Sequence, residues 1–146
     1  VYEAEVKEYL KDKNHQINFL GEKDFSEIQT FLSECLFTVA PSECYDNFPN
    51  TILESFAFKK CVVTTNIGSL KEIVTDLETG LLFKPHDSDE LKKKISLLFA
   101  NVPICQQLGQ NAYNKLNKEY SAENHYQKII NVFENALEDF QLEKNN

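Results

Sequence analysis

Four short apolar runs, separated from one another by helical patterns, constrain the fold of this chain most strongly. The runs are QINFLG (16–21), LFTVA (36–40), CVVTTN (61–66) and GLLFKP (80–85). They resemble buried strands, because branched and aromatic residues follow one another without the regular polar alternation of a half-exposed strand. Strands that alternate with helices form a mostly parallel sheet covered on both faces, so the predicted fold class is α/β.

Two of the intervening helices carry clear start signals. Asp24 with Glu27, and Asp87 with Glu90, follow the acidic pattern in which a capping side chain and a glutamate three residues later satisfy the first amides of a helix. We therefore expect helices to begin near these two positions. Apolar residues at helical spacing predict a further helix within residues 1–13.

The C-terminal third of the chain is predicted to be helical. Pro103 is suited to the first turn of a helix over 103–117, and a last long helix is expected over 121–142, with QLEKNN as a frayed tail. The apolar stripe of this last helix has to pack on another surface. At 146 residues the chain has the length of one domain with a single core.

Composition excludes several classes of function. The net charge is −8, and the 15 cations are all lysines spread along the chain, so broad binding to nucleic acid or anionic lipid is not expected. No apolar run approaches a membrane span and the N-terminus does not resemble a signal peptide, so we predict a cytoplasmic protein. Four widely spaced cysteines predict reduced, mostly buried thiols rather than a disulfide framework or a metal site. A chain that lacks methionine, even at its first position, is expected to be a piece of a longer protein.

The stretch 41–58 is the longest loop at the predicted ligand edge of the sheet, where the carboxyl ends of parallel strands open into loops. Pro49 suits the first turn of a helix, because the helix would leave its missing N–H unpaired. The amides of Asn50, Thr51 and Ile52 would then point out of the helix start. Together with the helix dipole they predict an anion site, whose usual occupant is phosphate.

Two carboxylates of this stretch are candidates for ligand contacts. Glu54 lies one turn after Asn50 and is placed to accept two hydroxyl hydrogen bonds, as from a ribose or a sugar ring. Asp46 lies on the preceding loop and could reach another part of the same ligand. The alternative is that Asp46 is a turn residue and Glu54 a solvated helix residue.

The segment PSECYDNFPNTILESFAFKKCVVTTNIGSLKEIVTDLETGLLFKP resembles the C-terminal half of retaining nucleotide-sugar glycosyltransferases with two Rossmann domains, the GT-B architecture. This group is known as glycosyl transferases group 1 (glycosyltransferase family 4-like) and includes bacterial polysaccharide and lipopolysaccharide transferases. The resemblance runs from about residue 1 to about 142. It implies that 1–146 is a single truncated, Rossmann-like donor-binding domain without its first strand and its N-terminal partner domain, and that 121–142 is the crossover helix.

The family carries an acid, seven further residues and a glutamate, which here are Asp46 and Glu54. By resemblance, Glu54 binds the ribose hydroxyls, the amides of Asn50 to Ile52 hold the diphosphate, and Asp46 contacts the donor sugar; these two acids are the implied catalytic residues. Asp46 stands where glutamate is usual. The basic residues that neutralise the diphosphate in the family come from a segment before Val1.

The resemblance also implies roles outside this acid pair. Phe48 and Pro49 belong to the Asn-Phe-Pro that often follows the first acid, and backbone groups of Gly21 and Glu22 are implied contacts of the nucleotide base. A solvated loop is the alternative for the last two. His15, His86 and His125 are isolated and are interpreted as loop or surface residues.

The function implied is transfer of a hexosyl group from a nucleoside diphosphate sugar, with UDP or GDP as the nucleotide, to a carbohydrate or lipid-linked acceptor bound through the missing domain. The resemblance implies no cofactor, no metal, no nucleic-acid partner and no transmembrane segment, with peripheral association at the inner face of the membrane open for the full-length protein. The chain alone is expected to be inactive. One alternative is a non-catalytic α/β partner-binding module with a degenerate donor site, and another is a phosphorylase or synthase of the same architecture.

Overall fold

A computed structural model describes residues 2–13, 16–45 and 48–144. The three strands of this described part are β1 (Thr38–Ala40), β2 (Val62–Thr65) and β3 (Gly80–Phe83). Its helices are α1 (Tyr2–Leu10), α2 (Phe25–Glu34), α3 (Asn50–Ala57), α4 (Leu70–Ile73), α5 (Ser88–Ala100), α6 (Val102–Glu119) and α7 (Ala122–Lys144).

The strands form one parallel sheet in the order β1-β2-β3. Val39 is paired with Val63, and Val63 with Leu81. All four residues of the central strand β2 are buried. The structure therefore confirms the predicted α/β class and three of the four predicted strands.

Each face of the sheet has its own core, because neighbouring residues of a strand point to opposite faces. One core is built by α3, α4, α6 and one face of β2, with Ile52, Phe56, Val62, Leu70, Ile73, Val74 and Ala112. The other is built by β2, β3, α5 and the start of α6, with Cys61, Val63, Leu81, Phe83, Leu98, Cys105 and Leu108.

The predicted helix starts at Asp24 and Asp87 are confirmed. The Asp24 carboxylate accepts the amide of Glu27 at 2.9 Å, and the Glu27 carboxylate accepts the amide of Asp24 at 3.2 Å. At the start of α5 the Asp87 carboxylate accepts the amide of Glu90 at 2.8 Å. Both segments therefore contain in their own sequence the groups that begin the helix.

The predicted strand at 16–21 is wrong. These residues are exposed, with 52% of Ile17 and 49% of Leu20 accessible to solvent, and no β-bridge joins the segment to the described sheet. A strand exists only where a neighbouring strand satisfies its backbone. The segment does have the apolar pattern of a strand, but it does not pair with β1, which is an edge strand of the described sheet.

The last helix also differs from expectation. α7 continues to Lys144, past the start of the predicted frayed tail at residue 141. Its apolar stripe is exposed in this chain, with Tyr126, Val132, Phe133, Leu137 and Phe140 each more than half accessible. No helix within residues 2–13, 16–45 and 48–144 is long and apolar enough to cross a membrane.

The thiols of the chain are free, and their environments differ more than predicted. Cys61 and Cys105 are buried in the second core, Cys35 is partly buried and Cys44 is exposed. Burial raises the pKa of Cys61 to about 12, and the neighbouring Cys105 adds to this increase. The expectation of mostly buried thiols is therefore wrong for Cys44, which lies on the loop after β1.

Candidate functional site

The loops that follow the three strands meet at one edge of the sheet. The ring of Tyr45, after β1, lies against Gly68, after β2, so closely that a Cβ at Gly68 would stand 3.1 Å from Tyr45 Cδ1. The Glu43 carboxylate contacts His86 Nδ1, after β3, at 2.9 Å. The carboxyl ends of the parallel strands thus form one continuous surface, as expected for a ligand edge.

The end of β2 holds the loop after β1 by hydrogen bonds. Thr64 Oγ1 donates to the carbonyl of Ala40 at 2.8 Å, and Thr65 Oγ1 donates to the carbonyl of Ser42 at 2.5 Å. Both threonines are almost completely buried. Ser42 Oγ accepts the amide of Cys44 at 3.3 Å, which fits its interpretation as a turn residue.

The start of α3 differs in two respects from the predicted anion site. Pro49 occupies the N-cap position, with φ −75° and ψ 102°, and the helix begins at Asn50. The amide of Ile52 donates to the carbonyl of Pro49 at 3.1 Å, so it is engaged within the chain. The expectation of three outward amides is therefore wrong for Ile52. Asn50 and Thr51 remain exposed first-turn residues, whose amides have no acceptor inside an α-helix.

A chain of hydroxyl groups fixes α3 against β1. Thr38 Oγ1 donates to Ser55 Oγ at 2.9 Å, and Ser55 Oγ donates to the carbonyl of Thr51 at 2.8 Å. Ser55 is 2% exposed, whereas Ala57 is exposed. Ser55 therefore lies on the contact side of α3, and Glu54, next to it in sequence, borders the same cavity as β1.

Glu54 lines a cavity of about 350 Å³ between α2, β1 and α3. The wall consists mainly of apolar and hydroxyl-bearing residues: Ile28, Leu32, Thr38, Val39, Ala40, Thr51, Ser55 and Val62. Glu54 is half-buried, and its carboxylate makes no ion pair or hydrogen bond to a described residue. A carboxylate in this position is available to accept hydrogen bonds from hydroxyl groups of a ligand.

Phe48 lines a different cavity from Glu54. Its ring lies 5.8 Å from the ring of Tyr120, and both border a space of about 390 Å³ with Leu53, Glu119, His125 and Lys128. Burial, followed by the charges of Glu119 and Glu72, raises the pKa of Tyr120. The structure therefore separates Phe48 from the group formed by Asn50, Thr51 and Glu54.

Two further predicted site residues, Gly21 and Glu22, are not brought together with Glu54. Gly21 and Glu22 are exposed and are absent from the described wall of the 350 Å³ cavity. Gly21 has φ +66°, a conformation suited to glycine, and it precedes α2. Asp46, together with Asn47, lies outside the described residues.

Sequence reasoning missed the hydroxyl groups that hold the site. Thr38, Thr64 and Thr65 were interpreted as residues of buried strands, and Ser55 as part of a helix. The sequence does contain a signal for them. Threonine and serine at buried positions need hydrogen-bond partners, so their presence in a predicted buried strand indicates specific hydrogen bonds there. Their partners could not be identified before the strands were placed side by side.

Comparison with known proteins identifies relatives of this chain. The sequence profile of the family described as "Glycosyl transferases group 1" matches residues 2–115. A glycosyltransferase of uncharacterised function from Methanocaldococcus jannaschii is 34% identical over 125 residues, covering 86% of this chain and 35% of that protein. A lipopolysaccharide core biosynthesis mannosyltransferase of Rhizobium leguminosarum bv. viciae is 27% identical over 124 residues, covering 85% of this chain and 34% of that protein.

A solved structure shares the fold over nearly the whole chain. The Anabaena protein HepE, in complex with UDP-glucose, superposes with a TM-score of 0.79 at 20% identity, covering 92% of this chain and 37% of that one. The chain thus spans about a third of the length of the relatives that it matches. The family profile covers more than half of the chain, and the parallel sheet with helices on both faces agrees with the fold match. The chain therefore belongs to the glycosyl transferases group 1 family, and its fold is that of the C-terminal domain of GT-B glycosyltransferases.

Proposed function

We propose that this chain is the nucleotide-sugar-binding domain of a retaining glycosyltransferase. The enzyme would transfer a hexosyl group from a nucleoside diphosphate sugar to a carbohydrate or lipid-linked acceptor in the synthesis of a bacterial surface polysaccharide. Membership of the family and the mannosyltransferase relative support a transferase of this kind. The acceptor would bind through parts of a longer polypeptide, and transfer would require those parts.

The observation that carries the proposal is the position of Glu54. Glu54 lines a cavity beside β1, an edge strand of the described sheet, and its carboxylate has no partner among the described residues. Adjacent hydroxyls of a ribose would supply two donors to the two carboxylate oxygens. Each charge-assisted bond of this kind contributes about 1.5–3 kcal/mol.

The diphosphate would lie at the start of α3, against the amides of Asn50 and Thr51. The dipole of α3 favours an anion there, and the same groups stabilise the leaving nucleotide as its charge develops. The described wall of the neighbouring cavity contains no lysine. As the family resemblance implies, we propose that further cations come from a segment that precedes this chain in the longer protein.

The nucleotide is proposed to be UDP or GDP. The bound UDP-glucose of HepE supports a nucleoside diphosphate sugar as donor, since the two proteins share the fold of this domain. Asp46 would contact the donor sugar from the loop after β1. Backbone groups of Gly21 and Glu22 would contact the base only if the segment before α2 moves toward the cavity when nucleotide binds.

Calorimetric titration with UDP, GDP and ADP tests the donor site. The parent is expected to bind one of the diphosphates, and Glu54→Ala to weaken that binding by about 100-fold or more, because two hydroxyl bonds of about 1.5–3 kcal/mol each are lost. Glu54→Gln, which keeps one acceptor oxygen, is expected to fall between the two. Reversal of the order of these affinities, or equal affinity for all three proteins, would contradict the ribose role of Glu54.

Glu34→Ala serves as a matched control. Glu34 is a second helix carboxylate, exposed at the end of α2, and is absent from the described wall of the cavity. Its removal changes the net charge of −8 by the same single unit as Glu54→Ala. If both variants changed the affinity equally, a long-range effect of charge would explain the result and the proposed site would be wrong.

A further inference from the structure

We propose that Thr65 is a positioning residue of the candidate site, and that with Thr64 it clamps the loop after β1 from both faces of the sheet. The role for ligand binding rests on the proposed function, whereas the clamp itself is a property of the fold. Neither threonine contacts the ligand in this account. Each acts through the loop 41–49, which leads into α3.

The two hydroxyls reach the loop from opposite sides. Val62 belongs to the first core and Val63 to the second, so the alternation along β2 directs Thr64 to the first face and Thr65 to the second. Thr64 donates to the carbonyl of Ala40, the last residue of β1, and Thr65 donates to that of Ser42, two residues further on. The chain is thus held from both faces of the sheet at the point where the loop leaves β1.

Burial shows why threonine matters at these two positions. Thr64 is 0% and Thr65 1% exposed, on a strand whose other residues are valines. A buried hydroxyl without a partner costs free energy relative to an apolar group of the same shape. Valine would therefore suffice for packing at these positions. The hydroxyl of Thr65 is accounted for by its hydrogen bond to the carbonyl of Ser42 in the loop.

The clamped residues lead in sequence to Pro49, which directly precedes the ligand groups of Asn50 and Thr51. Ser42 starts the segment that continues through Tyr45, packed on Gly68, to Pro49 at the N-cap of α3. Release of Ser42 frees this segment at its start, while the hydroxyls of Thr38 and Ser55 still hold α3 itself. The expected result is a site whose loop samples more positions, with weaker binding and an unchanged fold.

The experiment compares Thr65→Val with Thr65→Ser and Thr79→Val. Thr79 is 1% exposed, and its hydroxyl bonds only to the backbone of Thr75 among the described residues, in the turn before β3. Thr79→Val therefore removes a hydroxyl that is as buried as that of Thr65. It lies just before β3, whereas Thr65 lies at the carboxyl end of β2. Two readouts are recorded for each protein: affinity for UDP and GDP, and backbone order parameters of Ser42, Cys44 and Tyr45 from nitrogen relaxation.

Thr65→Val is expected to lower the order parameters of the loop and to weaken nucleotide binding roughly fivefold, the loss that one hydrogen bond typically carries. Thr65→Ser is expected to restore both, and Thr79→Val to change neither. The proposed clamp is wrong if the loop is as ordered in Thr65→Val as in the parent, or if Thr79→Val lowers the order parameters of the loop equally. If the parent binds no nucleotide while Thr65→Val loosens the loop, the proposed function fails and the clamp stands.

Discussion

Hydroxyl groups, rather than charged pairs, hold the candidate site at the level of single residues. The buried polar side chains are Ser55, Thr64, Thr65 and Thr79, and the first three bond to the segment that carries the site. Among the ion pairs of the described residues, Glu43–His86 joins loops of the site, but both of its side chains are more than half exposed, where such a pair contributes little to stability. Geometry at the site therefore depends on short, directional bonds that salt does not screen.

Ser55 permits a direct measurement of this dependence. Ser55→Ala leaves the partly buried hydroxyl of Thr38 without its acceptor, so the free energy of unfolding is expected to fall by about 1–2 kcal/mol. Urea denaturation of the parent and the variant gives this quantity. Ser33→Ala is the control, because Ser33 also donates to a helix carbonyl but is exposed. Equal losses in the two variants would show that the buried contact has no special value.

At the level of elements, close backbone contact between α6 and the turn before β2 sets the position of α3. A Cβ at Gly109 would lie 2.0 Å from the carbonyl oxygen of Lys59, so no side chain fits there without a shift of the backbone. α6 packs against α3 through this region, and Ala112 of α6 lies in the same core as Ile52 and Phe56. The helix that carries Glu54 thus has α6 as its support.

Gly109→Ala is expected to destabilise the protein although alanine favours helices. In an exposed helix interior this change contributes about 1 kcal/mol of stability. Here the clash is with backbone, and overpacking costs about 1–3 kcal/mol or more, so a net loss in urea denaturation is expected. Gln106→Ala, at an exposed position of α6, is the control and is expected to change little. A gain in stability for Gly109→Ala would contradict the close packing.

The elements that sequence predicted correctly are those that carry their signals locally. The capping groups at Asp24 and Asp87 lie within four residues of their partners, and the apolar runs of β2 and β3 are buried on both faces. The segment 16–21 has the same local pattern but no neighbour in the described sheet, so its conformation could not follow from sequence.

The site was predictable to a similar extent. Helical spacing predicts that Glu54 lies one turn after Asn50, and both residues are on α3, where the angle between residues is fixed. It could not show that Phe48 packs on Tyr120, or that the carbonyl of Pro49 engages the amide of Ile52. Those contacts depend on residues far apart in sequence and on the turn that enters the helix.

At the level of the whole molecule, one edge of the sheet concentrates the features of a ligand site, while apolar surface is exposed elsewhere. The loops after all three strands contact one another, and Glu54 lies beside them. A separate polar cavity of about 470 Å³ is lined in part by Lys115 and Lys118 of α6. It is the alternative binding site for an anionic ligand.

Amide chemical-shift mapping with UDP on the nitrogen-labelled protein tests the central claim most directly, with uridine as the matched ligand that lacks phosphates. We predict that UDP shifts the amides of Asn50, Thr51 and Glu54, and that uridine shifts Glu54 but leaves Asn50 and Thr51 nearly unchanged. This pattern would assign the ribose to Glu54 and the diphosphate to the start of α3. Shifts confined to the cavity around Lys115, or no shifts at saturating concentrations of either UDP or GDP, would contradict the account.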